Sequence, residues 1–157
     1  MASAPLDDFL GLSAVLTGYS RFRLLGTGQA QLYFTTVTDV VGEKTVGELV
    51  TAFGRVRDQA GSDDAAMEDL LRAEVLSDEK LGPIARNVIK LWFVGTWYQL
   101  PAEWREAYGT HEKDVTFVAS PAAYTEGLLW PTIDANPSGA KGPGYGTWAL
   151  PPRIDLT

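Results

Sequence analysis

The chain has 157 residues, a formal net charge of −7 and no cysteine, and 45% of its residues are hydrophobic. This length fits one domain with a sizeable core, and the acidic balance argues against nucleic acid or an anionic membrane surface as a partner, since both bind basic faces. The lack of cysteine excludes disulfides, thiolate metal sites and thiol catalysis.

A first helix is predicted to begin near Pro5, which is tolerated in a first helical turn. Asp7 and Asp8 follow near the N-terminus of this helix, where negative charge interacts favourably with the helix dipole. Gly18 is the expected C-cap. The apolar residues of this helix fall on two sides, so we expect it to be buried on two sides. An irregular segment is predicted next, from Tyr19 to Gly28.

The second and third helices are predicted between residues 29 and 60. The second covers Gln29 to Val41, with a strand as the alternative because Thr35 to Thr38 are β-branched. The third is capped by Thr45, with Glu48 three residues later as in a capping box. Apolar residues at helical spacing follow this cap.

The fourth and fifth helices come next. Asp63 and Asp64 open the fourth, which carries apolar residues at helical spacing. The fifth has the strongest apolar pattern of the chain, from Leu81 to Phe93, and Pro83 fits its first turn.

The last third of the chain changes character. Residues 115–118 (VTFV) give the best strand pattern, and Ser120-Pro121 then resembles an N-cap that opens a sixth helix through Leu129. Residues 131–157 are rich in Gly, Pro and aromatics and predict an irregular C-terminal arm. We therefore expect one all-α domain, an irregular bundle of five to six helices with an extended arm.

Few residues carry recognisable catalytic chemistry. His111 is the one histidine and lies in a polar stretch that predicts a surface loop, whereas metal sites and triads need further ligands or partners. Residues 26–28 (GTG) begin like a dinucleotide loop, but Gln31 stands where the third Gly belongs. Residues 139–142 (GAKG) lack the Walker spacing. No catalytic, cofactor-binding or metal site is predicted in this chain.

Aromatic residues are concentrated between residues 92 and 98, where four of seven side chains are aromatic. On one helix Trp92 and Trp97 would lie about 140° apart, so they could not share a face. Part of this set should then face solvent, a ligand or another subunit, because aromatic side chains are favoured at interfaces. The alternative is that the C-terminal arm folds back and covers them.

Three segments, in order, are similar to one protein family. Residues 9–18 (FLGLSAVLTG) resemble the opening of the small subunits of bacterial FAD-dependent sugar and polyol dehydrogenases, of the sorbitol, glucose, fructose and gluconate dehydrogenase type. Residues 85–97 (ARNVIKLWFVGTW) are similar to the family's central segment, with Phe93 in place of the usual Tyr. Residues 124–130 (YTEGLLW), together with 142–148 (GPGYGTW) and Pro151-Pro152, resemble its closing region.

The resemblance implies a non-catalytic, periplasmic partner of a large FAD-bearing catalytic subunit, which it helps to mature, export and stabilise. FAD is expected in that partner and no cofactor in this chain, and in many members a separate multihaem cytochrome c subunit carries the electrons away. Relatives usually carry a twin-arginine export signal, which residues 1–5 lack; an export signal that was removed and one that was never present both fit this N-terminus. No apolar run approaches the roughly 20 residues of a membrane span, so no membrane insertion is expected.

We expect the arm and the aromatic face around residues 92–98 to form much of a noncovalent interface with the catalytic subunit, since some relatives link subunits through a Cys that this chain lacks. The expected interface residues are Trp92, Phe93, Trp97, Tyr98, Tyr124, Trp130, Pro143, Tyr145 and Trp148. The rival hypothesis is a stand-alone helical carbohydrate-binding module that stacks exposed Trp and Tyr on sugars.

Overall fold

Helices make up most of the described chain, which comprises residues 4–137 and 139–140 of a computed structural model. In chain order they are α1 (Ala4–Thr17), α2 (Arg21–Gly26), α3 (Ala30–Val41), α4 (Glu43–Ala60), α5 (Asp64–Leu71), α6 (Leu81–Val94), α7 (Ala102–Tyr108), α8 (Pro121–Thr125) and α9 (Leu129–Thr132). A π-helical turn, Arg72–Leu76, extends α5, and β1 (Thr96–Trp97) pairs antiparallel with β2 (Phe117–Val118). The predicted all-α class is confirmed, and five of these helices have eight residues or more.

Helix α1 forms as its sequence predicts. Leu10 and Leu12 lie about 160° apart around the helix axis. Both are buried, because α1 packs against α3, α4 and α6. The helix ends at Gly18, whose φ of +75° is readily adopted by glycine and whose N–H donates to the carbonyl of Ala14 at 2.9 Å.

The start of α4 differs from the prediction. Residues 30–41 are helical, not extended, and Gly42, with a φ of +85°, allows the chain to turn and begin α4 at Glu43. Thr45 is therefore buried within the first turn and is not the N-cap. Glu48 does not form a capping box; its carboxylate instead binds the Lys80 ammonium at 2.7 Å.

Helices α5 and α6 confirm their predicted starts and faces. The Asp63 side chain accepts the N–H of Ala66, so it caps α5. Helix α6 packs against α1, α3 and α4, and its residues Ile84, Val88 and Leu91 are fully buried. The strongest apolar pattern in the sequence thus belongs to the helix at the centre of the core.

Two short helices were missed. Helix α2 lies in the segment predicted to be irregular. Ser20 is its N-cap, and the Leu24 side chain is buried in the core. Helix α7 was not predicted, and its Trp104 is buried and donates its indole N–H to the Lys80 carbonyl at 2.8 Å. His111 lies in the loop after α7, as predicted, and is half-buried with its ring 6.1 Å from that of Trp104.

The predicted sixth helix is interrupted. Ser120 does cap α8, but the chain leaves the helix after Thr125 and begins α9 at Leu129. At the break, the Leu128 N–H donates to the Trp92 carbonyl near the end of α6 at 2.9 Å. It therefore does not form the hydrogen bond to a preceding turn that would continue α8. Pro131 and Thr132, where the irregular arm was predicted to begin, belong to α9. Residues 138 and 141–157 of the predicted arm fall outside the described residues. None of the helices in residues 4–137 combines the length and apolar character that a bilayer span requires.

Candidate functional site

Trp92 and Trp97 are core residues of this chain, so the prediction that they lie at an exposed interface is wrong. Their exposed fractions are 1% and 0%. Helix α6 ends at Val94, and Gly95 turns the chain with a φ of +65°, so Trp97 lies on β1 and not on the helix. The 140° separation expected on one helix therefore does not apply, and both indoles reach the interior.

The other predicted interface residues in the described chain are at least partly accessible. Phe93 is half-buried and packs edge-on against Tyr19, with ring centroids 6.2 Å apart. Tyr98 and Tyr124 are exposed, whereas Trp130 is half-buried. The predictions for Pro143, Tyr145 and Trp148 fall outside the described residues.

One accessible surface lies on the pair of strands. Trp97 is paired with Phe117, and Thr96 is paired with Val118. Because side chains alternate along a strand, Trp97 and Phe117 share one face and Tyr98 and Val118 the other. Val118 is 56% exposed and Tyr98 is 40% exposed. Tyr98 and Val118 form what we call the ribbon surface. Val115 is also exposed, but it lines a recess beside α3 together with Phe117, on the opposite face.

A charged side chain borders the ribbon surface. The Lys90 ammonium lies 4.8 Å from the centroid of the Tyr98 ring, a cation–π contact. On the opposite face, beside Val115 and Phe117, Lys113 forms an ion pair with Asp39 of α3 at 3.4 Å. An apolar centre with a polar edge is the arrangement found at protein–protein interfaces.

A second accessible feature is a groove between α2 and the chain from Thr125 to Pro137, which we call the α2 groove. It encloses about 510 Å³. Phe22 and Trp130 are the aromatic residues that line it, and Phe22 is 87% exposed. Its polar lining residues are Arg23, Thr27, Thr125, Glu126, Asp134 and Asn136. The groove therefore combines aromatic surface with hydrogen-bonding groups of both polarities.

The Trp130 side chain is held in a defined orientation. Its indole N–H donates to the Tyr124 carbonyl at 2.8 Å, and the two rings pack edge to face with centroids 5.4 Å apart. The hydrogen bond and the ring contact together restrict rotation of the indole. The structure thus brings two predicted interface residues together at the edge of the α2 groove.

Asp134 lies in an unusual backbone conformation beside the groove. Its φ is +55°, in the left-handed region that favours glycine. The N–H of Ala135 donates to the Trp130 carbonyl at 2.8 Å and that of Asp134 to the Pro131 carbonyl at 3.4 Å. These two bonds form a Schellman motif at the end of α9, in which the left-handed position is usually glycine. Here it carries a carboxylate instead.

The pKa of a buried phenol, that of Tyr33, is affected by the charge of a residue that lines the α2 groove. Burial raises the pKa of Tyr33, and the negative charge of Glu126 raises it further. The Tyr33 hydroxyl is buried and has no hydrogen-bond partner among the described residues. Its ring packs edge to face against Trp92, with centroids 4.9 Å apart. Tyr33 therefore stays neutral at physiological pH.

The α2 side of the groove was not predicted from the sequence. Phe22 and Leu25 are three residues apart after Ser20, a short cap-and-spacing signal of one helical turn. Asp134 gives no such signal, because nothing in the sequence reveals a left-handed conformation at a non-glycine residue. Across residues 4–137, no group of three or more His, Asp or Glu side chains is arranged to hold a metal ion.

Comparisons of the chain with protein-family models, with curated proteins and with solved structures find no match. The resemblance of residues 9–18, 85–97 and 124–152 to dehydrogenase small subunits therefore stays a prediction from the sequence.

Proposed function

We propose that the protein is a non-catalytic small subunit that binds, stabilises and helps to mature a large FAD-dependent sugar or polyol dehydrogenase subunit. The ordered resemblance of residues 9–18, 85–97 and 124–152 supports this role. In this proposal FAD resides in the large subunit and the complex is periplasmic. A multihaem cytochrome c subunit in the same complex would accept the electrons.

The observation that carries the proposal is the ribbon surface. Tyr98 and Val118 are both exposed on the same face of one short strand pair. Isolated exposed apolar residues are ordinary on a protein surface, whereas a cluster is typical of an interaction site. Tyr98 also offers a phenolic hydroxyl, and tyrosine is enriched at interfaces because it combines an apolar ring with a polar end.

The resemblance and the ribbon surface coincide in the chain. Tyr98 directly follows the segment 85–97, and that segment forms most of α6 and all of β1. The aromatic face proposed for the large subunit is therefore replaced by a smaller one, in which Tyr98 remains and Val118 joins it. With no cysteine in the chain, the contact would be noncovalent.

Co-expression with the FAD-dependent dehydrogenase large subunits of the same genome tests the role. We expect a yellow complex that contains both chains on size-exclusion chromatography, with the absorbance of bound flavin, and loss of soluble holoenzyme when this chain is omitted. Soluble, active dehydrogenase that forms without this chain and never co-elutes with it would contradict the proposal.

Two matched variants test the surface. Val118→Asp places a carboxylate at the centre of the ribbon surface, and we expect recovery of the complex to fall at least about tenfold, because an unpaired charge would be buried at the contact. Leu25→Asp makes a comparable change on α2, at a residue that is 53% exposed, and should leave the complex intact. Equal recovery for both variants would remove the ribbon surface from the proposal.

A further inference from the structure

We propose that the α2 groove binds a pyranose sugar, with Phe22 and Trp130 against its apolar faces and Arg23 and Asp134 on its hydroxyls. This site is separate from the ribbon surface and does not depend on the subunit role. The groove is about 510 Å³ in volume. Small-molecule sites typically span about 300–1,000 Å³, so one sugar ring fits with room for a second.

The aromatic residues suit the ring of a pyranose. A pyranose presents C–H groups on its two faces and hydroxyls around its edge, so it can pack on an aromatic ring without losing hydration of its polar edge. Phe22 lies on α2, is 87% exposed and lines the groove. Trp130 lines it from α9, in the orientation that its hydrogen bond to Tyr124 fixes. Such pre-ordering lowers the entropy lost on binding.

The polar residues suit the hydroxyls. Arg23 offers a planar set of N–H donors, and Asp134 offers carboxylate acceptors. Neither residue forms an ion pair within the described part of the chain. Asn136 adds a donor and an acceptor at the same groove. A hydroxyl both donates and accepts, so a sugar can satisfy all three groups at once, and hydrogen bonds to charged groups are the stronger ones.

An apolar protein side chain fits the groove less well. It would cover Arg23 and Asp134 and deprive them of water without supplying partners, which is unfavourable for charged groups. A sugar removes the same water but replaces its hydrogen bonds. The polar lining therefore distinguishes the α2 groove from the ribbon surface, whose exposed centre is apolar apart from one phenol.

The backbone at Asp134 places a carboxylate at the groove. A left-handed position that closes a Schellman motif is usually glycine, and Asp and Asn are the residues with side chains that adopt it most readily. Asp134 occupies it with a φ of +55° and lines the groove. The turn that ends α9 therefore presents an acceptor to the groove where glycine would present none.

Isothermal titration calorimetry of the full chain tests the proposal, with glucose, mannose and galactose as probes and sorbitol as the acyclic comparison. We expect saturable binding of at least one pyranose with a Kd on the order of 1 mM. Sorbitol should bind at least about tenfold more weakly, because it has no rigid apolar face to pack on an aromatic ring.

Three variants locate the site. Phe22→Ala removes an exposed ring, and Asp134→Asn removes the charge with a residue that also tolerates the left-handed conformation. Phe22→Ala and Asp134→Asn should each weaken pyranose binding at least about tenfold. Val118→Ala, on the ribbon surface, is the control and should leave binding unchanged.

Tryptophan fluorescence gives a second measurement. Trp130 lines the groove, whereas Trp92, Trp97 and Trp104 are buried elsewhere. Sugar should therefore shift the emission of the unmodified chain, and Trp130→Phe should reduce that shift while calorimetric binding is partly kept.

Three results would overturn the proposal: no saturable heat with any pyranose of the panel, unchanged affinity in Phe22→Ala, or equal affinity for sorbitol. None of these bears on formation of a dehydrogenase complex, so the sugar site and the subunit role can fail separately.

Discussion

Trp97 donates its indole N–H to the carboxylate of Asp114 at 2.9 Å, and both side chains are buried. The same carboxylate accepts the backbone N–H of Leu100 at 3.0 Å. A buried carboxylate is favourable only when it is well hydrogen-bonded, and here it joins the loop before β2 to the segment that follows β1. This contact fixes the strand pair that carries the ribbon surface.

We expect Asp114→Ala to lower the free energy of unfolding by about 2–4 kcal/mol, because two buried N–H donors lose their acceptor. Asp114→Asn keeps one acceptor oxygen and should cost less. Urea unfolding followed by circular dichroism measures both. Equal losses in the two variants would show that the side chain's volume, not its acceptor oxygens, stabilises the loop.

Gly95 should tolerate no side chain. A Cβ there would lie 2.7 Å from the Ala123 backbone carbonyl, and the φ of +65° adds strain. Gly18 has a similar φ of +75° but open space around it, so Gly18→Ala measures the backbone strain alone. We expect about 1 kcal/mol for Gly18→Ala and at least about 3 kcal/mol for Gly95→Ala. Thermal unfolding of the two variants compares them directly, and similar melting temperatures would contradict the packing of α8 on the end of α6.

Tyr33 should make the protein less stable at alkaline pH. Burial and the charge of Glu126 raise the pKa of its phenol in the folded state, so the unfolded chain ionises first, near pH 10. Its contribution to stability is complete below about pH 10 and is lost as the pH rises further. Tyr33→Phe should show a shallower alkaline loss of stability.

At pH 7 the same variant should be neutral or about 1 kcal/mol more stable, since the buried hydroxyl has no hydrogen-bond partner in the part of the chain described. Denaturant titrations at pH 7 and at alkaline pH measure both effects. Marked destabilisation of Tyr33→Phe at pH 7 would mean that the hydroxyl does have a partner.

Alanine substitutions at Trp92 and Tyr98 should distinguish a core residue from a surface residue by their effects on stability. Trp92→Ala removes a fully buried indole and should cost about 3–5 kcal/mol of folding free energy. Tyr98→Ala should cost less than about 1 kcal/mol, because the ring is 40% exposed. If the ribbon surface binds the large subunit, Tyr98→Ala should instead weaken recovery of the complex. Unfolding curves and co-elution, measured on both variants, test the two statements.

The long helices could be predicted because their information is local. Repeated apolar positions in α1 and α6, the glycine after α1 and the Asp63 cap each act within a few residues along the chain. The short helices could not be predicted in this way. One or two turns hold too few positions to show a period, and α2 and α7 depend on burial of Leu24 and Trp104 against distant elements.

The sequence by itself determined that this chain forms a mostly helical, acidic domain with surplus aromatic residues. Only the tertiary structure decided which aromatics are accessible, because the turn at Gly95 changes the direction of the chain between Trp92 and Trp97 and buries both. It also decided that Phe22 and Trp130, more than a hundred residues apart in sequence, line one groove. Such a juxtaposition depends on how α2 and α9 pack, and no local pattern of residues encodes it.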